Sequence, residues 1–195
     1  MPKPPKSKTP ASLTRYVAFL RGINVGGHTI KMDDLKKAFE GVGVQNVKTL
    51  IASGNVLFET EEADRAALTR KIEEKLEKTF GFEIPVLLRS VDELKAMVES
   101  EPFKKVKADP TTKFYISFLS EKPTTQLQIP YESPQKDFQI IRVADGAVFS
   151  VTFPAKGGRT VDSMAILEKE FGKRITTRNW NTILRLLKGK DPKGF

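Results

Sequence analysis

Apolar and polar positions fall along this chain in blocks whose period changes. Tyr16 to Leu20, "YVAFL", is a short apolar run bounded by charge, and it predicts a buried strand. From Met32 the apolar positions Met32, Leu35, Ala38 and Phe39 recur at helical spacing. Asp33 and Asp34 suit the positive end of that helix, and Gly41 or Gly43 ends it. "VKTLIASGNVLFET" reads as two strands joined by a turn at Ser53-Gly54-Asn55. Leu68, Ile72, Leu76 and Phe80 line one face of a helix from about Glu61 to Phe80, capped by Gly81. "IPVLLRS" is another strand, which Pro85 places at a sheet edge. Ser90 and Glu93 then form a capping box that opens the helix "SVDELKAMV".

The resulting order over residues 15–90, β-α-β-β-α-β, is that of the ferredoxin-like split βαβ unit, whose edge strands are the second and the last. The second half echoes the first. "YISFL" (Tyr115 to Leu119) matches "YVAFL", and "VADGAVF" matches "IASGNVLF", with Asp145-Gly146 as a hairpin turn. A helix follows near Val161 to Phe171, closed by Gly172. A strand from Arg174 to Thr177 and a helix from about Asn179 to Leu187 complete the chain. The last helix has Trp180, Ile183, Leu184 and Leu187 as its apolar face. Glu121 to Asp137 stands where the first helix of the half belongs, but Pro123, Pro130 and Pro134 argue against a long helix there. The expected fold is α+β: two ferredoxin-like subdomains, residues 14–100 and 101–188, the second degenerate and ending in a C-terminal helix. Residues 1–13 and 189–195 are expected to be tails, the first basic and disordered.

Composition removes several kinds of chemistry. The chain has 195 residues and no cysteine, which excludes disulfides, thiolate catalysis and Cys-based zinc sites. His28 is the only histidine, so a multi-His metal site is excluded and no metal is expected. Nothing approaches the roughly 18 unbroken apolar residues of a membrane span, and "MPKPPKSKTP" lacks the apolar core of a signal peptide. A cytoplasmic protein with no membrane partner is expected. The net charge is +9. Lys3, Lys6 and Lys8 supply +3 of it, and Lys188, Lys190 and Lys193 against Asp191 supply +2, which leaves +4 for residues 13–187. More than half of the excess therefore lies in the tails, where it favours weak, sequence-independent contact with nucleic acid.

Three stretches could carry chemistry. The topology brings Arg21 to Gly27 close to Ser53, Gly54 and Asn55. There Arg21 supplies a fixed charge, Gly22, Gly26 and Gly27 let backbone N–H groups converge, and Asn24, Ser53 and Asn55 add neutral hydrogen-bonding groups. Such a constellation suits a phosphate or a carboxylate, although it matches neither the dinucleotide-binding glycine pattern nor the P-loop. The alternative is a tight strand-to-helix connection and a hairpin turn, with His28 as an exposed loop residue. In the second stretch, "RITTRNWNTILRLL", Thr177 or Asn179 can cap the last helix, with Arg178 and Asn179 at its positive end. The third, "FPAKGGRT", is a flexible basic loop with Lys156, Gly157, Gly158 and Arg159. Two further segments look plainer. "EEADRAALTRKIEEKLEKTF" mixes charges and reads as a solvated face with i,i+4 pairs. "PFKKVKADPTTK" is the strongest basic patch in the body, with only Phe103 and Phe114 interleaved.

The segments "LRGINVGG" (Leu20 to Gly27), "IASGNVLF" (Ile51 to Phe58) and "TTRNWNT" (Thr176 to Thr182) together resemble a bacterial family known as domain of unknown function 1697. The resemblance runs from about Tyr16 to Leu187. It implies two ferredoxin-like α+β subdomains and carries no reaction with it. The expected function is therefore binding of a small anionic ligand at the loop edge of the first subdomain, through Arg21, Gly22, Asn24, Gly26, Gly27, Ser53, Asn55, Arg178 and Asn179. If the site turns a ligand over, positioning and charge stabilisation are the means its groups offer. No cofactor is expected, and the oligomeric state is left open. The alternative is a nucleic-acid-binding protein acting through backbone electrostatics, although "VLFET" is not an RNA-recognition aromatic motif.

Overall fold

The computed structural model describes residues 13–24, 29–50, 54–121, 123, 125–154 and 162–188. Among these, the first half runs β1 (Thr14–Leu20), α1 (Met32–Glu40), β2 (Gln45–Leu50), β3 (Asn55–Thr60), α2 (Arg65–Phe80), β4 (Val86–Ser90) and α3 (Val91–Glu99). The second runs β5 (Lys113–Leu119), β6 (Tyr131–Glu132), β7 (Phe138–Ala144), β8 (Ala147–Thr152), α4 (Ser163–Phe171), β9 (Ile175–Asn179) and α5 (Trp180–Leu187). The chain is α+β, as its sequence implies.

β1 is apolar from Tyr16 to Leu20 because both of its faces are covered there. It lies at the centre of an antiparallel sheet of order β2-β3-β1-β4. Alternate side chains leave opposite faces of a strand. Tyr16, Ala18 and Leu20 therefore join Leu35, Phe39, Leu68 and Ile72 under α1 and α2. Val17 and Phe19 point the other way, into a core shared with the second half. There the Phe19 ring stacks on Phe118 with centroids 4.3 Å apart. β4 is an edge strand, in keeping with Pro85.

The second sheet has the order β6-β7-β8-β5-β9. Without β6 it repeats the order of the first: β7, β8, β5 and β9 stand where β2, β3, β1 and β4 stand. Asp145 and Gly146 both have positive φ, 54° and 68°, as a two-residue hairpin turn between right-twisted strands requires. The proline-bearing stretch after β5 contributes the short strand β6 in place of a helix. α4 packs through Leu167 against the outer face of this sheet. The layers are thus helices, sheet, sheet, helix. α3 and α5 supply Leu94, Met97, Ile183 and Leu186 to the shared core, and Phe103 and Trp180 meet beside it with ring centroids 5.2 Å apart.

Several boundaries differ from those expected. α2 starts at Arg65 because residues 61–64 bond locally: Thr60 Oγ1 accepts from Glu62 N–H, Glu62 Oε1 from Asp64 N–H, and the Asp64 carboxylate from Ala66 and Ala67 N–H. β9 extends to Asn179 through pairing with β5. On α5 it is Leu186, not Leu184, that lies in the shared core beside Ile183.

Candidate functional site

The described parts of the two glycine-bearing loops lie together at one end of the first sheet. Leu20 N–H donates to Gly54 C=O at 2.8 Å, and Gly54 sits so close that a Cβ built on it would lie 2.8 Å from Ile23 Cδ1. Gly22 (φ 73°) and Asn24 (φ 55°) turn the chain out of β1, and Asn24 Oδ1 accepts from Ile30 N–H at 2.9 Å. Asn55 is fully buried and donates through Nδ2 to Leu50 C=O. Gly26, Gly27, His28, Ser53 and the 156–159 loop lie outside the described residues.

The structure brings Arg178 of β9 directly onto this end. A guanidinium has five N–H donors. Arg178 makes five hydrogen bonds: Nε to Asn55 Oδ1 (2.7 Å), Nη1 to Thr176 Oγ1 and Thr177 C=O (both 2.9 Å), and Nη2 to Leu20 C=O (2.7 Å) and Gly54 C=O (3.3 Å). The charge also lies 5.6 Å from the centre of the Phe19 ring. All these acceptors are neutral. Burial pushes the Arg178 pKa down to about 10, which still leaves it charged at neutral pH. Asn179 faces its own helix and accepts from Asn181 N–H as the N-cap of α5.

Two more arginines cross between the halves. Arg21 Nη1 donates to the Lys173 and Ile175 carbonyls, and Nη2 pairs with Glu168 of α4 at 2.6 Å. Arg89, 8% exposed, donates to Leu119 and Gly146 of the second half and to Leu88, with its charge 5.3 Å from the Phe118 ring centre. Burial lowers its pKa and the charge of Arg65 adds to the effect, while Glu93 opposes it. Arg89 and Arg178 are therefore cations held by carbonyls and amide or hydroxyl oxygens, and none of the bonds described reaches a carboxylate.

Arg21 and Arg89 also border a cleft of about 430 Å³ between the halves. Its floor is the apolar edge of β4 with Leu119 and Ile175. Arg65 and Arg70 of α2 and Arg174 before β9 line its walls, and Glu73 and Glu121 are its acidic members. Arg65 is held in a two-bond pair with Glu93 at 2.9 Å, and Arg174 lies 3.2 Å from Glu73. Arg70 is exposed and carries no ion pair among the described residues. The α2 face expected to be solvated and paired along the helix is instead one wall of this cleft. Its ion pairs run to other elements because α2 packs beside β4.

A second groove, of about 880 Å³, lies between the segment after α3 and β7. Lys104, Lys105, Lys107 and Arg142 border it together with Ile141 and Phe153. Phe103 and Phe114 pack against each other with their rings tilted by 56° and centroids 4.7 Å apart, and Phe103 also meets Trp180. Among the described residues no group of His, Asp and Glu could hold a metal ion, and no helix is long and apolar enough to cross a membrane.

The family model described as "Protein of unknown function (DUF1697)" matches residues 13–149. The chain belongs to this family. This DUF1697 member is also similar in structure to a conserved bacterial protein from Streptococcus pneumoniae. The TM-score is 0.68 at 22% identity, over 91% of this chain and 98% of that one. At that identity the likeness speaks for the fold. No curated protein matches the chain.

Of the groups that sequence reasoning singled out in this DUF1697 chain, Arg21, Gly22, Asn24, Asn55 and Arg178 cluster around the end of β1. The cleft residues Arg65, Arg70, Arg89 and Arg174 were not singled out. One signal was present: Arg89 is a charge inside the apolar strand "IPVLLRS", where a buried cation needs a reason. Arg65 and Arg70 gave none, because a mixed-charge helix looks the same whether its polar face meets solvent or a cleft.

Proposed function

We propose that the protein binds a small anionic ligand, bearing a carboxylate or a phosphate, and that the ligand enters the cleft between the halves beside Arg21. The observation that carries this reading is the concentration of guanidinium charge at one cavity. Arg70 is uncommitted, Arg65 and Arg174 are partly exposed, and Arg89 is a buried cation at the wall with no carboxylate upon it. Arg89 feels the charge of Glu93 but makes no bond to it, and burial still lowers its pKa; an anion placed nearby offsets part of that cost. The volume lies in the usual range for small-ligand sites, and the mix of apolar floor and few charged groups suits one. The turn at Gly54 and Asn55 is the poorer host, since an anion there would have to displace bonds that Arg178 already makes. Thermal melting at fixed ionic strength, with inorganic phosphate, pyrophosphate, succinate and benzoate, tests the reading. At least one should raise the midpoint, and Arg70→Glu should abolish the rise while Lys105→Glu leaves it. No rise with any anion, or a rise that Arg70→Glu does not touch, contradicts it.

A second reading has its own observation, the basic groove bordered by Lys104, Lys105, Lys107 and Arg142. It suits a nucleic-acid backbone held by electrostatics alone, since Phe103 and Phe114 are engaged with each other. Binding to a single-stranded oligonucleotide should then fall steeply with salt and show no sequence preference.

A further inference from the structure

The edge of β4 forms the floor of the cleft, and its backbone is only partly bonded. Arg21 N–H donates to Pro85 C=O, so the odd positions of this strand face β1. The even positions face outward. Val86 N–H donates to Glu73 Oε1 (2.8 Å), Leu88 C=O accepts from Arg89 Nη1 (2.8 Å), and Ser90 N–H donates to Glu93 Oε2 (2.7 Å). Two outward groups remain, Val86 C=O and Leu88 N–H, and neither has a partner among the described residues. Both residues line the cleft.

A carbonyl at one position and an N–H two positions on are what a single residue of a parallel neighbouring strand uses. Its N–H donates to the first and its C=O accepts from the second. We propose that the ligand of the cleft is a short peptide carboxylate, which adds to β4 as a parallel strand with its central residue opposite Leu87. The inference rests on the small-anion reading above and names the ligand class for it.

The charges agree with that direction. Glu73 is fixed at the Val86 end by its bond to Val86 N–H, where the ammonium terminus of a parallel peptide would lie and would share the carboxylate with Arg174, 3.2 Å from it. Arg65 is fixed at the Ser90 end through Glu93, where the carboxylate terminus would lie. An antiparallel peptide would put its ammonium at Arg65 and its carboxylate at Glu73. Strand addition of this kind takes its affinity from main-chain bonds, and the charged ends set orientation. A cavity of about 430 Å³ limits the occupant to a few residues.

The test is calorimetric titration of the full chain with trialanine, with trialanine methylated on the central amide nitrogen, and with trialanine C-terminal amide, alongside succinate. The Leu88 amide is followed by NMR. The inference expects trialanine to bind and to shift the Leu88 amide resonance. It expects both modified peptides to bind at least about tenfold more weakly, as loss of one good hydrogen bond or one charge pair implies. Equal binding of the methylated peptide, or a Leu88 resonance that does not move, overturns it. Binding of succinate without trialanine overturns the peptide assignment and leaves the anion reading standing. If neither binds, the peptide assignment falls, and the anion reading falls with it only where phosphate, pyrophosphate and benzoate also fail to raise the melting midpoint.

Discussion

Arg178 shows how one residue can serve the fold where its sequence context suggests a ligand. It stands before a helix with an asparagine beside it, the local pattern of an anion site. What it meets is Asn55, Leu20 and Gly54, more than 120 positions away in the chain. That distance is why its partners were not legible: local pattern gives the charge and the helix start, and only the packing of two sheets supplies the acceptors. Arg178→Ala would remove the donor that Asn55 Oδ1 and several carbonyls now share, so stability should fall by about 3 kcal/mol or more, at roughly 1–3 kcal/mol for each buried acceptor left unsatisfied. Arg178→Lys should recover little, because an ammonium cannot fan five donors across two loops. Urea denaturation measures both. Glu93 gives a residue-scale pH effect. Burial pushes its carboxyl upward, but the Ser90 N–H bond and the bond and charge of Arg65, with help from Arg89, outweigh burial and hold it below the usual carboxylate range. A carboxylate depressed on folding contributes stability above its unfolded value and loses it as pH falls through the folded one. Glu93→Gln should therefore be less stable than the parent at neutral pH, and the difference should shrink as pH falls below about 4, the ordinary carboxylate range. Parallel stability curves down to acid would contradict this.

Elements were the most legible level, because periodicity and caps are local. The Ser90–Glu93 capping box, the αL cap at Gly81 and the Asp145-Gly146 hairpin all stand where the pattern puts them. The errors were at boundaries, where polar residues have two options. Glu61 and Glu62 fit a helix by composition, but Glu62 bonds to Thr60 and Asp64, and Asp64 caps the helix that starts after it. The turn into β3 makes a prediction at this scale. Gly54 has φ 72° and Ile23 lies where a Cβ would go, whereas Gly22 has φ 73° and open space. Both alanine variants should incur about 1–2 kcal/mol for the left-handed backbone. Gly54→Ala should lose more, because it also displaces Ile23 from the core. Equal losses in thermal or urea unfolding would mean that the packing of the turn is not specific.

At the scale of the molecule, the repeat of strand order between the halves was legible as an echo of "YVAFL" in "YISFL". The placement of one half on the other was not. It depends on which face of each sheet is apolar enough to pair, and on Arg21, Arg89 and Arg178 reaching across to carbonyls. The cleft is a product of that placement, since its walls come from α2 and β4 on one side and from residues near Leu119 and Ile175 on the other. The account therefore stands or falls on whether this cavity, assembled from both halves, holds an anion. Anomalous diffraction from crystals containing selenate, a heavy analogue of a divalent oxyanion, locates such a site directly. The account predicts a selenium peak in the cleft within hydrogen-bonding distance of Arg70, absent from crystals of Arg70→Glu. A cleft without a peak, while selenate occupies the groove of Lys104, Lys105 and Lys107, would contradict it.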